Sequence, residues 1–330
     1  MAKIRVAVNG FGRIGRALAR ILLNDERIDL IAINDVAPIE TMAHLFRFDS
    51  IHGKWSGSAG FSNDTLLLDN KRIAYSQYSS PEQLPWAGLN IDVVIECTGH
   101  FKTRLELEKH LHAGARKVLL SVPPEDDTIK TIVCGINDHL ISDNDLLISN
   151  ASCTTNNAAP MVQLIDELCG IESCYITTVH SYTTDQRLQD SPHKDLRRSR
   201  AALQSIIPTT TGAAKALTRV FPHLREKMGG CGFRVPVPDG SLTDITCTVR
   251  NPLSIEAINS AFRKASEERW SMILEYTDDP IVSSDIIGNP ASCIFDSQLT
   301  SVIGQMVKVV GWYDNEIGYS HRLRDLLLRM

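Results

Sequence analysis

Cys153 lies in Asn150-Ala151-Ser152-Cys153-Thr154-Thr155-Asn156, a run of small cap-forming residues. A strand-like segment, Leu146 to Ser149, precedes it, and Met161, Leu164, Ile165 and Leu168 follow at helical spacing up to Gly170. That pattern puts the thiol at the amino end of a helix, with Pro160 either in the first turn or at a kink. Free amides and the helix dipole favour the thiolate there, which is the nucleophilic form. Most cysteines are buried structural thiols, and that reading is taken for the other seven, at 97, 134, 169, 174, 231, 247 and 293. The polar setting of Cys153 argues against it. With no Cys-x-x-Cys pair, neither a zinc knuckle nor a disulfide framework is suggested.

A base for this thiol should be histidine, whose pKa lies near working pH. His180 ends the strand-like run Tyr175-Ile176-Thr177-Thr178-Val179 and opens a polar loop, so it is expected at a sheet edge. His44, His52, His110, His112 and His139 read as surface or packing residues, and His110-Leu111-His112 is too little for a metal site. No metal is expected.

Three further segments have the chemistry to hold anions. Arg197, Arg198 and Arg200 place three guanidinium groups within four residues, although a solvated or subunit-interface face explains such a run equally well. Thr209-Thr210-Thr211-Gly212-Ala213-Ala214-Lys215 offers hydroxyls and amides at a helix start, where an ordinary cap is the simpler reading. Arg234 interrupts the apolar run Gly232 to Pro236, and an arginine in a strand needs an anionic partner, either a ligand or a carboxylate such as Asp244.

In the first half, Ile4, Val6 and Val8 form a short strand that runs into Asn9-Gly10-Phe11-Gly12-Arg13-Ile14-Gly15. A helix follows with Ile14, Leu18, Ile21 and Leu22 on one face, and then a buried strand, Ile28 to Ile33. Gly10, Gly12 and Gly15 supply the turn, the bare approach and the close helix packing that a pyrophosphate site needs. Asp35 follows Gly15 by 20 residues, where a carboxylate accepts from both ribose hydroxyls and repels a 2′-phosphate. A lone glycine motif is weak; here strand, helix and acid all stand in place. The α/β alternation continues through Asp92–Glu96, a helix from Arg104 to Ala113, and Lys117–Ser121. Thr98, Gly99 and Phe101 follow a strand's carboxyl end, so Phe101 either flanks an adenine or is a packed loop aromatic. Trp55 to Tyr78 reads as a hairpin-like excursion without chemistry.

These elements must be carried by a soluble globular chain. With 330 residues, 43% of them apolar and 22% charged, there is room for two domains at roughly 150 residues each and little for a disordered or collagen-like chain. A net charge of −5 gives no general attraction for nucleic acid or an anionic membrane, so neither is expected as a partner. No apolar stretch approaches the ~20 residues of a bilayer span, and the start reads directly into a strand. A cytoplasmic location is expected. The fold expected is α/β: a doubly wound Rossmann-type domain over residues 1–152, and an α+β catalytic domain with a mainly antiparallel sheet over 153–315. An activated cysteine, a histidine, a dinucleotide and anion sites together suggest aldehyde oxidation through a thioester, with an anionic nucleophile taking the acyl group.

From end to end the sequence resembles the phosphorylating glyceraldehyde-3-phosphate dehydrogenase family. The resemblance rests on Asn9 to Arg16, Ser152 to Asn156, His180-Ser181-Tyr182-Thr183, His193 to Arg198, Pro208 to Lys215, Phe233 to Pro236 and Trp312-Tyr313-Asp314-Asn315-Glu316, in family order. It implies that Cys153 forms a thiohemiacetal, that His180 activates it and moves the proton, and that NAD takes the hydride before inorganic phosphate cleaves the thioester. It further implies that Thr183 and Arg234 hold the substrate phosphate and that Ser152, Thr154, Thr211 and Gly212 hold the attacking one, with Arg198 near both. For NAD it adds Phe11, Arg13, Ile14, Ser121, Asn315 and Tyr319, with Asn315 positioning the nicotinamide amide. A homotetramer is implied, with the loop from about Thr183 to Gln204 reaching a neighbouring subunit. A final helix, 316–330, is implied to pack on the cofactor domain.

Three positions depart from the family pattern. Asn157 replaces a frequent second cysteine, Ile317 replaces a tryptophan, and Ser191-Pro192 replaces Leu-Pro. Ser191 is a feature of members that accept NADP, whereas Asp35 favours NAD, and NAD preference is expected. Erythrose-4-phosphate dehydrogenase is the nearest alternative, although it typically lacks the side chains of His180–Thr183 and Thr209–Gly212.

Overall fold

Short β-branched runs alternating with amphipathic helices build the first of two compact units in the computed structural model, which describes residues 3–330. The unit runs up to Ile132 and includes 139–151 and 320–330. Its elements are β1 (Ile4–Asn9), α1 (Arg13–Leu23), β2 (Ile28–Asn34), α2 (Ile39–Arg47) and the small hairpin β3 (Phe48–Asp49) and β4 (Gly53–Lys54). They continue with β5 (Ala59–Ser62), β6 (Thr65–Leu68), β7 (Lys71–Ser76), β8 (Val93–Glu96), α3 (Arg104–His112), β9 (Lys117–Leu120), β10 (Lys130–Thr131) and β11 (Leu147–Ser149).

Nine strands form one sheet in the order β10-β11-β9-β8-β1-β2-β7-β6-β5. Neighbours from β10 to β7 are parallel, and the excursion β5-β6-β7 is antiparallel, as the turn residues Asn63-Asp64 and Asp69-Asn70 require. Parallel strands covered on both faces read as continuous apolar runs, which is why Val93–Ile95 and Val118–Leu120 are buried throughout. Strand order reverses beside β1, so the carboxyl ends of β1, β2 and β8 flank the switch point where open sheets bind ligands. α3 starts at a capping box, with Thr103 accepting from Glu106 N and the Glu106 carboxylate accepting from Thr103 N.

The second unit comprises 133–138 and 152–319. Trp270 Nε1 donates to the Gly135 carbonyl at 2.9 Å, which ties the short 133–138 segment to it. Its elements are α4 (Cys153–Cys169), β12 (Ile171–Ser181), β13 (Ile207–Thr209), α5 (Ala213–Val220), β14 (Met228–Val235), β15 (Ser241–Val249), α6 (Ile255–Glu267), β16 (Leu274–Thr277), β17 (Cys293–Asp296), β18 (Ser301–Ile303) and β19 (Met306–Tyr313). The sheet order is β13-β14-β12-β15-β19-β17-β16, with β18 paired to β19. Most pairings are antiparallel, while β12–β14 and β16–β17 are parallel. β15 alternates buried and half-buried residues along its whole length, the pattern of a strand with one face on a core. A last helix, α7, spans Ile317–Leu327.

Two local expectations change. α4 begins at Cys153 and continues through Pro160, which therefore lies inside the helix and beyond its first turn, where it cannot donate a backbone bond. β12 begins at Ile171 and ends at Ser181, so His180 lies within the strand and, with β14 and β15 on either side, away from a sheet edge.

Candidate active site

α4 presents Cys153 as its first residue. The Ser152 hydroxyl caps the helix by accepting from Thr155 N at 3.1 Å and also meets Thr155 Oγ1 at 2.7 Å. Cys153 Sγ lies 3.5 Å from His180 Nε2, so the two residues singled out for covalent chemistry come together. On its other side the ring donates from Nδ1 to the Ser181 carbonyl at 2.8 Å. A proton on Nδ1 leaves the Nε2 lone pair facing the thiol.

Arg234 occupies the register position opposite His180 on the parallel strand β14. Its Nη1 donates to the Ser181 carbonyl and to Thr183 Oγ1, each at 3.1 Å, and lies 3.2 Å from His180 Nδ1. Asp244 is not its partner; that carboxylate pairs with Lys308 at 2.7 Å. The guanidinium is thus hydrogen-bonded to neutral oxygens, with the nearby Asp185 carboxylate paired to Arg198, an arrangement that leaves Arg234 able to hold an added anion.

Burial governs the titration of this cluster. It pushes the His180 pKa down to about 3, with the nearby positive charges of Arg234 and Arg198 acting in the same direction. Burial also raises the Cys153 thiol, against the lowering effects of Arg234 and of hydrogen bonds from Thr154. The helix terminus alone therefore does not make a thiolate; desolvation wins, favouring the thiol and the neutral imidazole. The ring is poised to take the proton when the sulfur attacks.

The remaining anion candidates fall into two groups. Arg198 turns inward and donates from Nε and Nη2 to Thr209 Oγ1 at 3.0 and 2.8 Å, while its Nη1 pairs with Asp185. Arg197 is exposed, and Arg200 is exposed with Asp190 at 2.8 Å, so these two follow the solvated-face reading. Gly212 is exposed at the start of α5, which no side chain caps, and Thr211 Oγ1 accepts from Ala213 N at 3.2 Å. Thr154 is buried, its hydroxyl 2.9 Å from Tyr313 Oη.

Sequence reasoning assigned no role to Tyr313 or Ser241, and it placed Thr209 in a possible anion segment without foreseeing its bond to Arg198. Tyr313 Oη joins Thr154 to Thr178 Oγ1 at 3.1 Å, its ring stands edge-on to His180, and burial raises its pKa. Ser241 and Ser181 both donate to Asn315 Oδ1, at 2.7 and 2.8 Å, which leaves the amide nitrogen of Asn315 as its free donor. Tyr313 lay inside a motif already singled out, but a tyrosine between tryptophan and aspartate reads first as core. Asn157, buried, donates to the Trp312 carbonyl at 3.1 Å and holds α4 against β19. Tyr319 is buried.

In the first unit the glycine loop behaves as its spacing requires. Gly10 has φ +92°, and a Cβ there would lie 2.7 Å from Thr98 N. A Cβ on Gly15 would lie 2.1 Å from the Gly10 carbonyl oxygen. Gly12 is exposed, and an added Cβ would meet nothing within 4 Å. α1 has no side-chain cap and no acidic residue in its first turn, leaving its positive end open to a phosphate. Asp35 accepts from Phe11 N at 2.7 Å and Ala37 N at 3.0 Å, which fixes its carboxylate beside the loop. Arg13 pairs with Asp49 at 2.7 Å, and Arg16 donates to the Phe11 carbonyl at 2.8 Å. Ile14 is half-buried, and Gly99 sits at φ +71°. Ser121 is buried, its hydroxyl against the Cys97 thiol. Phe101 is half-buried and packs on the cluster of Leu107, Val118, Leu120, Ile129 and Leu147. These residues fit a dinucleotide: a bare glycine approach, an uncapped helix and a fixed carboxylate at a switch point.

Comparison with known proteins agrees with both halves. Residues 4–104 match the family described as glyceraldehyde 3-phosphate dehydrogenase, NAD binding domain, and 152–315 match its C-terminal domain. The chain is 50% identical over 326 residues to glyceraldehyde-3-phosphate dehydrogenase 2 of Streptomyces avermitilis, covering 98% of this chain and 97% of that protein. It is 48% identical over 331 residues to glyceraldehyde-3-phosphate dehydrogenase of Mycobacterium tuberculosis strain H37Rv, covering 98% and 97%. With glyceraldehyde-3-phosphate dehydrogenase 2 of Bacillus subtilis strain 168 it shares 46% identity over 327 residues, 98% of this chain and 96% of that protein.

Proposed function

The chain belongs to the glyceraldehyde-3-phosphate dehydrogenase family, and on that premise we propose that it oxidises D-glyceraldehyde 3-phosphate with NAD and inorganic phosphate to 1,3-bisphosphoglycerate. The observation that carries this reading is the 3.5 Å approach of Cys153 Sγ to a His180 Nε2 whose lone pair is turned to it by the Nδ1 bond.

Sulfur attack on the aldehyde carbon forms the C–S bond while the thiol proton passes through His180 Nε2 to the aldehyde oxygen, giving a thiohemiacetal and returning the imidazole to its neutral form. His180 Nε2 then serves the hydroxyl of that adduct, removing its proton as the carbonyl re-forms and hydride departs. When bound, NAD supplies the acceptor for that hydride. The resulting thioester on Cys153 is open to a phosphate oxygen, and expulsion of the sulfur returns the thiol with the acyl phosphate as product. Arg234 and Thr183 suit the substrate's own phosphate, since the guanidinium already sits among neutral oxygens. Arg198, with the amide end of α5 at Thr211 and Gly212, suits the attacking phosphate, and Ser152 and Thr154 lie on the Cys153 turn. The free amide nitrogen of Asn315 suits a nicotinamide carbonyl.

A homotetramer in the cytoplasm accords with this role; no helix among the described residues is long and apolar enough to cross a membrane. The test is the near-ultraviolet absorbance of reduced nicotinamide with glyceraldehyde 3-phosphate and NAD, with and without phosphate. Sustained turnover that requires phosphate is expected. A burst without turnover in the presence of phosphate, or preference for erythrose 4-phosphate, would replace the proposal.

A further inference from the structure

Four residues stand side by side at the carboxyl ends of neighbouring parallel strands: Ser76 of β7, Asn34 of β2, Asn9 of β1 and Glu96 of β8 are successive register partners. Their side chains form one hydrogen-bonded chain. Ser76 Oγ donates to Asn34 Oδ1 at 2.9 Å, Asn34 Nδ2 donates to Asn9 Oδ1 at 2.8 Å, and Asn9 Nδ2 donates to Glu96 Oε2. Glu96 is fully buried and takes three more donors, the Thr98 amide at 2.7 Å, the Thr98 hydroxyl and His110 Nε2 at 3.1 Å.

His110, also fully buried, has its polarity set from behind. The Trp86 indole N–H donates to His110 Nδ1 at 3.0 Å, so the ring's own donor is Nε2 and points at Glu96. Every partner of Glu96 is therefore a donor, and its four acceptor positions are filled. An isosteric amide could not replace it, because its NH2 would be turned against one of those donors.

The row leads straight into the loops at the switch point. Asn9 precedes Gly10, Asn34 precedes Asp35, and Glu96 precedes Thr98 and Gly99. Gly10 also abuts Thr98 N, the amide that Glu96 holds. We propose that Glu96 is a positioning residue for the dinucleotide: through Asn9 and Thr98 it locks the glycine loop, the ribose-facing acid and the Thr98–Gly99 turn into one register. The proposal rests on the reading that these three segments hold NAD.

Calorimetric titration of NAD into the wild-type protein and into Glu96→Gln, well below either melting temperature, tests it. The variant is expected to bind NAD at least about tenfold more weakly, the loss of a charge-assisted bond and its pairing. His110→Leu, which strips one donor and strands the Trp86 N–H, is expected to weaken NAD about threefold, and it serves if Glu96→Gln does not fold. His110→Gln, which keeps a donor for Glu96, is expected to bind within twofold of wild type. A folded variant with a lower melting temperature but unchanged NAD affinity would overturn the proposal, since the row would then only stabilise the sheet. Wild-type protein that takes up no NAD would instead overturn the functional reading beneath it, before any variant is measured.

Discussion

His180 and Arg234 face one another in register on adjacent parallel strands and share one acceptor, the Ser181 carbonyl. The base and the guanidinium are therefore oriented by the same oxygen. Their charges also oppose each other, because Arg234 adds to burial in holding the imidazole neutral.

The first prediction concerns that neutrality. With its pKa depressed from 6.5 to about 3, His180 stays unprotonated in the folded chain while an unfolded chain takes up a proton below pH 6.5. Stability should accordingly fall as pH drops from 6.5 toward 3, since the unfolded state binds the extra proton. The His180 ring resonance should stay constant through that window until unfolding. An inflection near 6.5 in the folded protein would show that burial does not govern the ring.

Cys153→Ser should fold normally and lose dehydrogenase turnover by at least about a thousandfold, because an alkoxide is not generated beside a neutral imidazole as readily as a thiolate. Steady-state rates and a melting curve check both halves. Full activity would exclude a covalent route through Cys153.

Arg234→Leu should discriminate between substrates. Two charge-assisted bonds to the substrate phosphate, at roughly 1.5–3 kcal/mol each, correspond to at least about a hundredfold in kcat/KM. Unphosphorylated glyceraldehyde should lose far less. Equal losses for both aldehydes would assign Arg234 to the base alone.

Asp35→Asn keeps one oxygen for the Phe11 or Ala37 amide but removes the negative charge. NADP should gain on NAD by about tenfold or more, read as the ratio of kcat/KM values. An unchanged ratio would place cofactor discrimination elsewhere, with Ser191 the next residue to vary.

Tyr313→Phe removes the hydroxyl between Thr154 and Thr178. A loss of about 1–2 kcal/mol in stability is expected, with two buried hydroxyls left short of a partner, and denaturant unfolding measures it. No loss would mean that the two threonines re-pair with each other or with water.

Much of this architecture was legible because local patterns and global fold agree. The glycine loop, its flanking strand and helix, and the helix from Arg104 are local events with local residue signatures. Cys153 and His180 were readable for a related reason: a cap-rich turn and a β-branched run leading into a polar loop each announce themselves over a few residues. Their contact was not, since pairing across the sheet depends on register. Asp244 was a reasonable partner for Arg234 by residue type, yet β15 directs it to Lys308. Likewise Thr209, Ser241 and Tyr313 are ordinary strand residues whose roles appear only when β13, β15 and β19 bring them beside Arg198, Asn315 and Thr154. His110 gives no signal beyond that of a packing residue, because its partners Trp86 and Glu96 are set by tertiary burial.

The parallel pairing of β12 with β14 also has a kinetic side. Parallel neighbours require a long crossover, here residues 182–227, and closing such a loop costs entropy before any strand bond repays it. His180 and Arg234 are 54 residues apart, and Thr154 and Tyr313 are 159 apart. The reactive cluster needs these long-range pairings in place, so on refolding helical signal should return first and enzymatic activity last. Regained activity is thus a clock for the final closure of this sheet.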